Sequence, residues 1–305
     1  MFGTRLHAKS VAYAATTLGT SLINPVFTFY YVKVYLNFFH VSEPWFQLAQ
    51  LIFMIWNAVN DPLFGYLQDN ARSWSVLRSR RHSILYGAPL FVVAFILPWF
   101  PWVNYESSGS AWIAGIQLTV ALCFYDAMFT FVLLAHCALL AELSDNQADR
   151  IRLLQYSQAA GLLGCGSVLI CETTSSGMEH YALFQMTCVG LGLAAGACFV
   201  YTGLNVDTQF DCLVEPAEEK SLKGYDDMLA VLRQTGQIFA QHSFISFVLM
   251  NFCATYHATF LANFTKIIGD RLLGTGLSSS VKSALYGSLF IIPQVCLLCY
   301  SCRSL

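Results

Sequence analysis

The chain has 305 residues, of which 56% are hydrophobic and 11% are charged, and its formal net charge at pH 7 is −2. Soluble domains carry about 25% charged residues, so this composition excludes an ordinary soluble globule and favours a membrane protein. The charge balance has no basic excess and no basic run, which argues against nucleic acid as a partner.

Eight apolar runs, each long enough to cross a bilayer, follow one another along the chain. A transmembrane helix needs about 20 apolar residues. The predicted spans are 11–32, 45–67, 84–103, 111–140, 153–171, 181–204, 244–263 and 281–302. The sequence therefore predicts an all-α, polytopic membrane protein, with a six-helix bundle over 1–204, a polar cytoplasmic linker over 205–242, and the first two spans of a second bundle over 243–305.

Lysine and arginine residues indicate the orientation of these spans. They are concentrated in the loops on one side of the membrane, whereas the opposite loops hold few. The first side has Arg5, Lys9, Arg72, Arg78, Arg80, Arg81, Arg150, Arg152, Lys220, Lys223 and Arg233, and the second has Lys33, Lys266, Arg271 and Lys282. Because cytoplasmic loops carry the excess of positive charge, this pattern predicts a cytoplasmic N-terminus.

The second span contains a polar stripe. Asn57, Asn60 and Asp61 are spaced i, i+3 and i+4, which places them on one side of a helix, and Pro62 removes a backbone donor from the next turn. An ionised side chain within the hydrocarbon costs about 2.5–3.5 kcal/mol on insertion scales, so such a group usually faces a polar cavity or a partner. Two interpretations of Asp61 stay open, a binding site or a structural hydrogen bond to a neighbouring helix.

Other ionisable side chains also fall inside predicted spans. Asp126 lies near the middle of the fourth span, and a functional role is favoured because intramembrane acids are functional candidates by default. His136 and His257 lie within spans as well. For these two a packing role is favoured over a proton relay, because a lone histidine on a helix is more often a hydrogen-bonded packing residue.

Two motifs carry a resemblance to a known family. They are Asn60-Asp-Pro-Leu-Phe-Gly65, with a basic stretch after it, and Tyr125-Asp126, with Ala141-Glu142-Leu143 after it. The chain resembles the major facilitator superfamily and, within it, the glycoside-pentoside-hexuronide:cation symporters, to which the melibiose permease belongs. This resemblance implies a major facilitator-type helical bundle of twelve spans, of which about eight are present here. It also implies that the two halves of the bundle move relative to each other around a binding site near the bilayer midplane.

The resemblance also implies which residues form the cation and substrate site. Asp61 and Asp126 match two of the family's three cation-site carboxylates, and Asn57 stands where the third would be. Thr17 and Gln158 stand where the family has a sugar-binding acid and an arginine. Charge-assisted hydrogen bonds are about twice as strong as neutral ones, so these two replacements put sugar as the substrate in doubt.

A loop after the second span is a further candidate. The resemblance implies that Gly65, Asp69 and Arg72 belong to a cytoplasmic latch that steadies one conformation. The alternative interpretation is a solvated loop that only sets topology, and the two interpretations are compatible.

The resulting hypothesis is a secondary active, cation-coupled symporter of a small organic solute, sugar-like by resemblance, in the plasma membrane. A proton is favoured over sodium, because no span has a lysine or arginine near mid-depth and a desolvated, unpaired carboxyl tends to take up a proton. Sodium needs several oxygens at once, and the amide of Asn57 attracts it less than a carboxylate does. The alternative hypothesis is a non-transporting membrane protein, truncated or a pseudo-transporter, that acts by binding a partner.

Other chemistries find little support. Cys296, Cys299 and Cys302 have a spacing that invites a metal site, but they lack a second ligand set, so packing or lipid attachment is favoured. No nucleophile and base pair stands out, so an enzyme is not expected. The expected partners are the lipid bilayer and a small solute, with no cofactor and no metal.

Overall fold

A computed structural model describes residues 2–70, 79–103, 105, 111–144, 146–208, 240–273 and 278–303. In these residues the regular structure is helical, and no strand occurs. The helices are α1 (Phe2–Lys33), α2 (Glu43–Asn70), α3 (Arg80–Ile96), α4 (Ala111–Leu143), α5 (Gln147–Cys165), α6 (Ser167–Thr174), α7 (Tyr181–Asn205), α8 (His242–Leu273) and α9 (Ser279–Arg303). The predicted all-α membrane bundle is confirmed.

Each of the eight predicted spans coincides with a helical segment. Within the described residues, five helical stretches are long and apolar enough to cross a membrane. They are Arg80–Trp99, Trp112–Leu143, Gln147–Thr174, Tyr181–Asn205 and His242–Leu261. The helices α1, α2 and α9 are not among the five, and α2 contains the polar stripe noted above.

The fifth span is divided into two helices. Helix α5 ends at Cys165 and α6 begins at Ser167, with Gly166 between them. The amide of Gly166 donates to the carbonyl of Leu163 at 3.3 Å, three residues back, so the regular α-helical ladder is interrupted there. Glycine is a poor helix former, which favours a break at this position.

The first six spans pack around an aromatic core. Helix α1 packs against α5 and α7, α3 against α4 and α7, and α2 against α4. Phe27 of α1 stacks on Tyr125 of α4 with ring centroids 3.7 Å apart, and Trp99 is fully buried beside Phe27. Aromatic side chains bury large areas, so this core fixes how α1 and α4 face each other.

Helix α8 contacts the first six spans near one of its ends, and α9 packs along α5 and α6. On α8, residues 245–261 are exposed, whereas Phe264 and Ile267 pack against the core and Lys266 is buried. On α9, Tyr286 is buried against Phe29 of α1. Residues 209–239, which hold most of the predicted linker, lie outside the described residues.

Candidate functional site

The contact between α2 and α4 contains the two acids that the sequence singled out. Ala49, Asn60 and Gln68 are the buried residues of α2, and they lie on one helical face. Asn60 is fully buried, and its amide Nδ2 donates to Oδ2 of Asp126 at 2.9 Å. The carboxylate of Asp126, which is half-buried, is thus held from the α2 side by an amide.

The second acid lies at the same contact, on the other helix. Asp61 is exposed on α2, and its Oδ1 accepts a hydrogen bond from the hydroxyl of Thr130, one turn along α4 from Asp126, at 3.0 Å. The pairs Asn60 with Asp126 and Asp61 with Thr130 therefore cross between the same two helices, side by side. Two carboxylates in one region of the membrane repel each other unless a cation or a proton joins them.

Neither acid has a compensating cation among the residues that the structure describes. No lysine or arginine there forms an ion pair with Asp61 or Asp126. The amide Oδ1 of Asn60 is buried without a hydrogen-bond partner in the same part of the chain. An uncompensated charge next to unpaired oxygens can bind a proton or a small hard cation.

Asn57 lies away from this hydrogen-bonded group. It is exposed, and within the described residues no hydrogen bond is found for its side chain. The three residues of the predicted stripe therefore differ in burial. Helix α4 covers Asn60, whereas Asn57 stays exposed outside that contact. Asn60, which the sequence placed in the stripe but not among the site residues, supplies the amide that contacts Asp126.

A second polar group surrounds Thr17 of α1. The hydroxyl of Thr17 lies 3.1 Å from Nε2 of His136 on α4, whose ring stacks on Tyr13 at 4.1 Å between centroids. His136 is buried, and its Nδ1 has no partner among the described residues. The favoured packing role of His136 agrees with the stacked ring, but the free Nδ1 leaves a hydrogen bond available.

Helix α5 faces this group with small and neutral polar residues. The buried hydroxyl of Ser157 has no hydrogen-bond partner within the described residues, and Gln158 beside it is half-buried. One turn further, a Cβ placed on Gly161 would lie 3.8 Å both from Thr17 and from Oε1 of Gln294 on α9. Thr17 and Gln158, the two predicted substrate positions, thus belong to neighbouring helices, with α9 approaching from the other side.

The structure describes two of the three predicted latch residues, Gly65 and Asp69, and the latch itself stays a prediction. Asp69 forms an ion pair with Arg80 at 2.6 Å, and Arg80 also lies 3.6 Å from Glu142 at the end of α4. Arg72 lies outside the described residues. A Cβ placed on Gly65 would have nothing within 4 Å, so no close approach requires a glycine there.

The remaining candidates lie at the surface of the described residues. His257 lies on the exposed stretch of α8. Cys296 and Cys299 are exposed free thiols on α9, and the side chain of Cys302 is not among those described.

Sequence reasoning missed the two acids that pair with Lys33 and Lys266, which are Asp270 and Glu172. Glu172 lies on α6, immediately after the predicted end of the fifth span, and it is 1% exposed. It pairs with Lys266 of α8, 94 positions later in the chain. The signal that could have found it is the scarcity of charge on that side of the membrane, where Lys33 and Lys266 are among the few cations.

Comparison with known proteins agrees with the motifs. A family model described as MFS/sugar transport protein matches residues 12–292. Transmembrane protein 180 of Gallus gallus is 27% identical over an aligned length of 308 residues. The alignment covers 94% of this chain and 58% of that protein. Transmembrane protein 180 of Mus musculus is 28% identical over 317 residues, with the same two shares. The chain thus spans 58% of the length of the curated relatives that it matches.

Proposed function

This chain belongs to the MFS/sugar transport protein family, and from that premise we propose that it acts as a secondary active transporter in which Asp126, with Asp61 beside it, binds the coupling proton. The observation that carries the proposal is the pair of hydrogen bonds that join α2 to α4, which keep two carboxylates at one helix contact. A family member with that arrangement can bind a cation at the contact between these two helices.

The proton is favoured by what surrounds the acids. With no ion pair to either carboxylate among the described residues, the neutral, protonated form of one acid removes both the repulsion and the cost of a buried charge. Sodium is the alternative ion. Its ligands would be the two carboxylates, Oγ1 of Thr130 and Oδ1 of Asn60, which has no hydrogen-bond partner among the described residues.

The solute is proposed to bind beside Thr17. Neutral hydrogen-bond donors and acceptors there come from Tyr13, Thr17, His136, Ser157 and Gln158. Two of their polar atoms, Nδ1 of His136 and Oγ of Ser157, are buried without a partner within the described residues. These groups bind hydroxyls less strongly than the family's acid and arginine would, but they can still bind an uncharged, sugar-like solute, and they offer a charged solute no opposite charge. The expected cytoplasmic N-terminus and plasma-membrane location belong to the same proposal.

The experiment is uptake into sealed proteoliposomes containing the purified chain. Tritiated glucose, galactose and melibiose serve as probes, driven by a pH gradient or, separately, by a sodium gradient. Asp126→Asn is expected to abolish pH-driven uptake, because an amide cannot take up the proton. Glu43→Gln removes an exposed carboxylate at the start of α2 and is the matched control, with uptake retained.

Three outcomes would contradict the proposal in different ways. Uptake that only the sodium gradient drives would replace the proton with sodium at the same acids. Unchanged pH-driven uptake in Asp126→Asn would remove Asp126 from the mechanism. A folded protein that takes up none of the probes under either gradient would favour the non-transporting alternative.

A further inference from the structure

A group of four charged residues lies outside the contact between α2 and α4 that holds the two acids of the proposed transport site. Its centre is Glu172 of α6 with Lys266 of α8, whose Nζ is 2.5 Å from Oε1. The two side chains are 1% and 2% exposed. The hydroxyl of Tyr30 on α1 also donates to Oε1 of Glu172, at 2.8 Å.

The other half of the group is less buried and extends the contact. Asp270 of α8 accepts from Nζ of Lys33, at the end of α1, at 2.6 Å, and from the hydroxyl of Tyr286 on α9 at 3.0 Å. Burial acts to raise the pKa of Asp270, but the hydrogen bond from Lys33 and the charge of Lys266 outweigh it and lower that pKa. The carboxylate of Asp270 is therefore ionised at neutral pH, and it lies between the amino groups of Lys33 and Lys266.

These contacts join the two parts of the molecule at one end only. Lys33 and Glu172 belong to the first six spans, whereas Lys266 and Asp270 belong to α8. Towards the opposite end of α8, residues 245–261 are exposed and contain no lysine, arginine, aspartate or glutamate, so this stretch cannot form an ion pair of the same kind. Within the described residues, the ion pairs between the first six spans and α8 therefore lie at the Lys33 end.

We propose that Lys33, Glu172, Lys266 and Asp270 form a clamp that closes the solute path at the Lys33 end and separates when that end opens. The inference rests on the proposed transport function, since only a carrier needs the two ends to open in turn.

Charge pairing is suited to a contact that must open. Taking two ions out of water costs about as much as their attraction returns, so a buried ion pair adds little net stability to the closed form. When the pair separates into a water-filled passage, each ion regains its hydration. An apolar contact of the same size would instead resist opening, because water would have to cover its apolar surface.

The test measures from which side of the membrane a reporter can be reached. Gln294→Cys places a thiol on α9 at the contact with α5, eight positions beyond Tyr286, in a chain whose native cysteines are replaced by serine or alanine. A membrane-impermeant maleimide is applied to right-side-out and to inside-out vesicles in separate experiments. The variants are Glu172→Lys, Lys266→Glu and the double exchange.

Each single charge reversal is expected to speed labelling from the Lys33 side by about tenfold or more, because a closed protein populates the other conformation at only about 0.1–10%. The double exchange restores opposite charges and should return labelling to near the original rate. Labelling from the other side should not rise in any of the three.

Two results would overturn the clamp. One is an unchanged labelling rate in folded single variants, and the other is a double exchange that labels as fast as the single variants. Where the single reversals fail to fold, Asp270→Asn supplies the same test from the more exposed half, with faster labelling supporting the clamp and unchanged labelling contradicting it. None of these measurements needs a solute or a pH gradient, so their failure is distinguishable from failure of the Asp126 experiment.

Discussion

The two ends of the bundle both contain charged side chains, but these side chains are arranged differently. At the Asp69 end, Asp69 is 67% exposed and pairs with Arg80 of the following helix. At the Lys33 end, Glu172 and Lys266 are almost fully buried and join helices that are far apart in the chain. Ion pairs therefore join helices within the first six spans at one end, and join those spans to α8 at the other.

The difference lies in the solvent exposure of the acids and in which parts of the molecule the ion pairs join. Exposed ion pairs contribute about 0–1 kcal/mol, because water already solvates both partners. Removing one partner of a buried pair costs far more, because the remaining charge is left without compensation. We therefore expect the two ends to respond very differently to the same kind of substitution.

The largest effect is expected at the buried end. Glu172→Gln leaves Lys266 buried with less compensation, and breaking a buried pair costs about 3–5 kcal/mol of stability. Thermal unfolding of the detergent-solubilised protein, followed with a thiol-reactive dye on its buried cysteines, measures the loss. Glu43→Gln, at an exposed acid of α2 near the same end, is the matched control and should leave the melting temperature almost unchanged. An equal loss in both variants would show that burial is not the cause.

A smaller effect is expected where α8 and α9 meet. A Cβ on Gly269 would lie 2.8 Å from Cε1 of the buried Tyr286, so Gly269→Ala should cost about 1–3 kcal/mol through overpacking. Gly65→Ala is the contrasting change at the other end, where the Cβ meets nothing within 4 Å. It should stabilise the helix by about 0.4–1 kcal/mol. The same unfolding measurement compares the two, and equal effects would contradict the difference in packing.

The smallest effect is expected at the ion pair of Asp69 with Arg80, in which the acid is exposed. Asp69→Asn removes one charge opposite Arg80, which retains its contacts with Glu142 and the carbonyl of Gln68. The expected change is at most about 1 kcal/mol, and added salt should reduce it further. A loss as large as that of Glu172→Gln, in unfolding experiments at low and high salt, would remove the distinction between the two ends.

Sequence patterns predicted the helices well because a membrane restricts the choices. Apolar runs of bilayer length must be helical, since every backbone group needs an internal partner in lipid. The same argument singled out Asp61 and Asp126, because a carboxyl group within an apolar run is rare enough to be noticed.

The details of the site depended on helix rotation and on distant pairing. The i, i+3, i+4 spacing placed Asn57 with Asn60 and Asp61, but it could not tell which of them α4 would cover. Glu172 was missed because its partner is 94 residues away and each residue alone looks like an ordinary charge at a membrane edge. Local sequence patterns hold no information about which distant residues become buried together.

The break at Gly166 affects how the fifth span can bend. Helix α6 has only eight residues and contains Glu172, and it is joined to α5 through a residue at which the regular hydrogen-bond ladder is already interrupted. Bending at that residue breaks fewer backbone bonds than bending elsewhere in the span, so Gly166 is the natural pivot. The short helix α6 can then tilt as a unit, while α5, with Ser157 and Gln158, keeps its packing against α1.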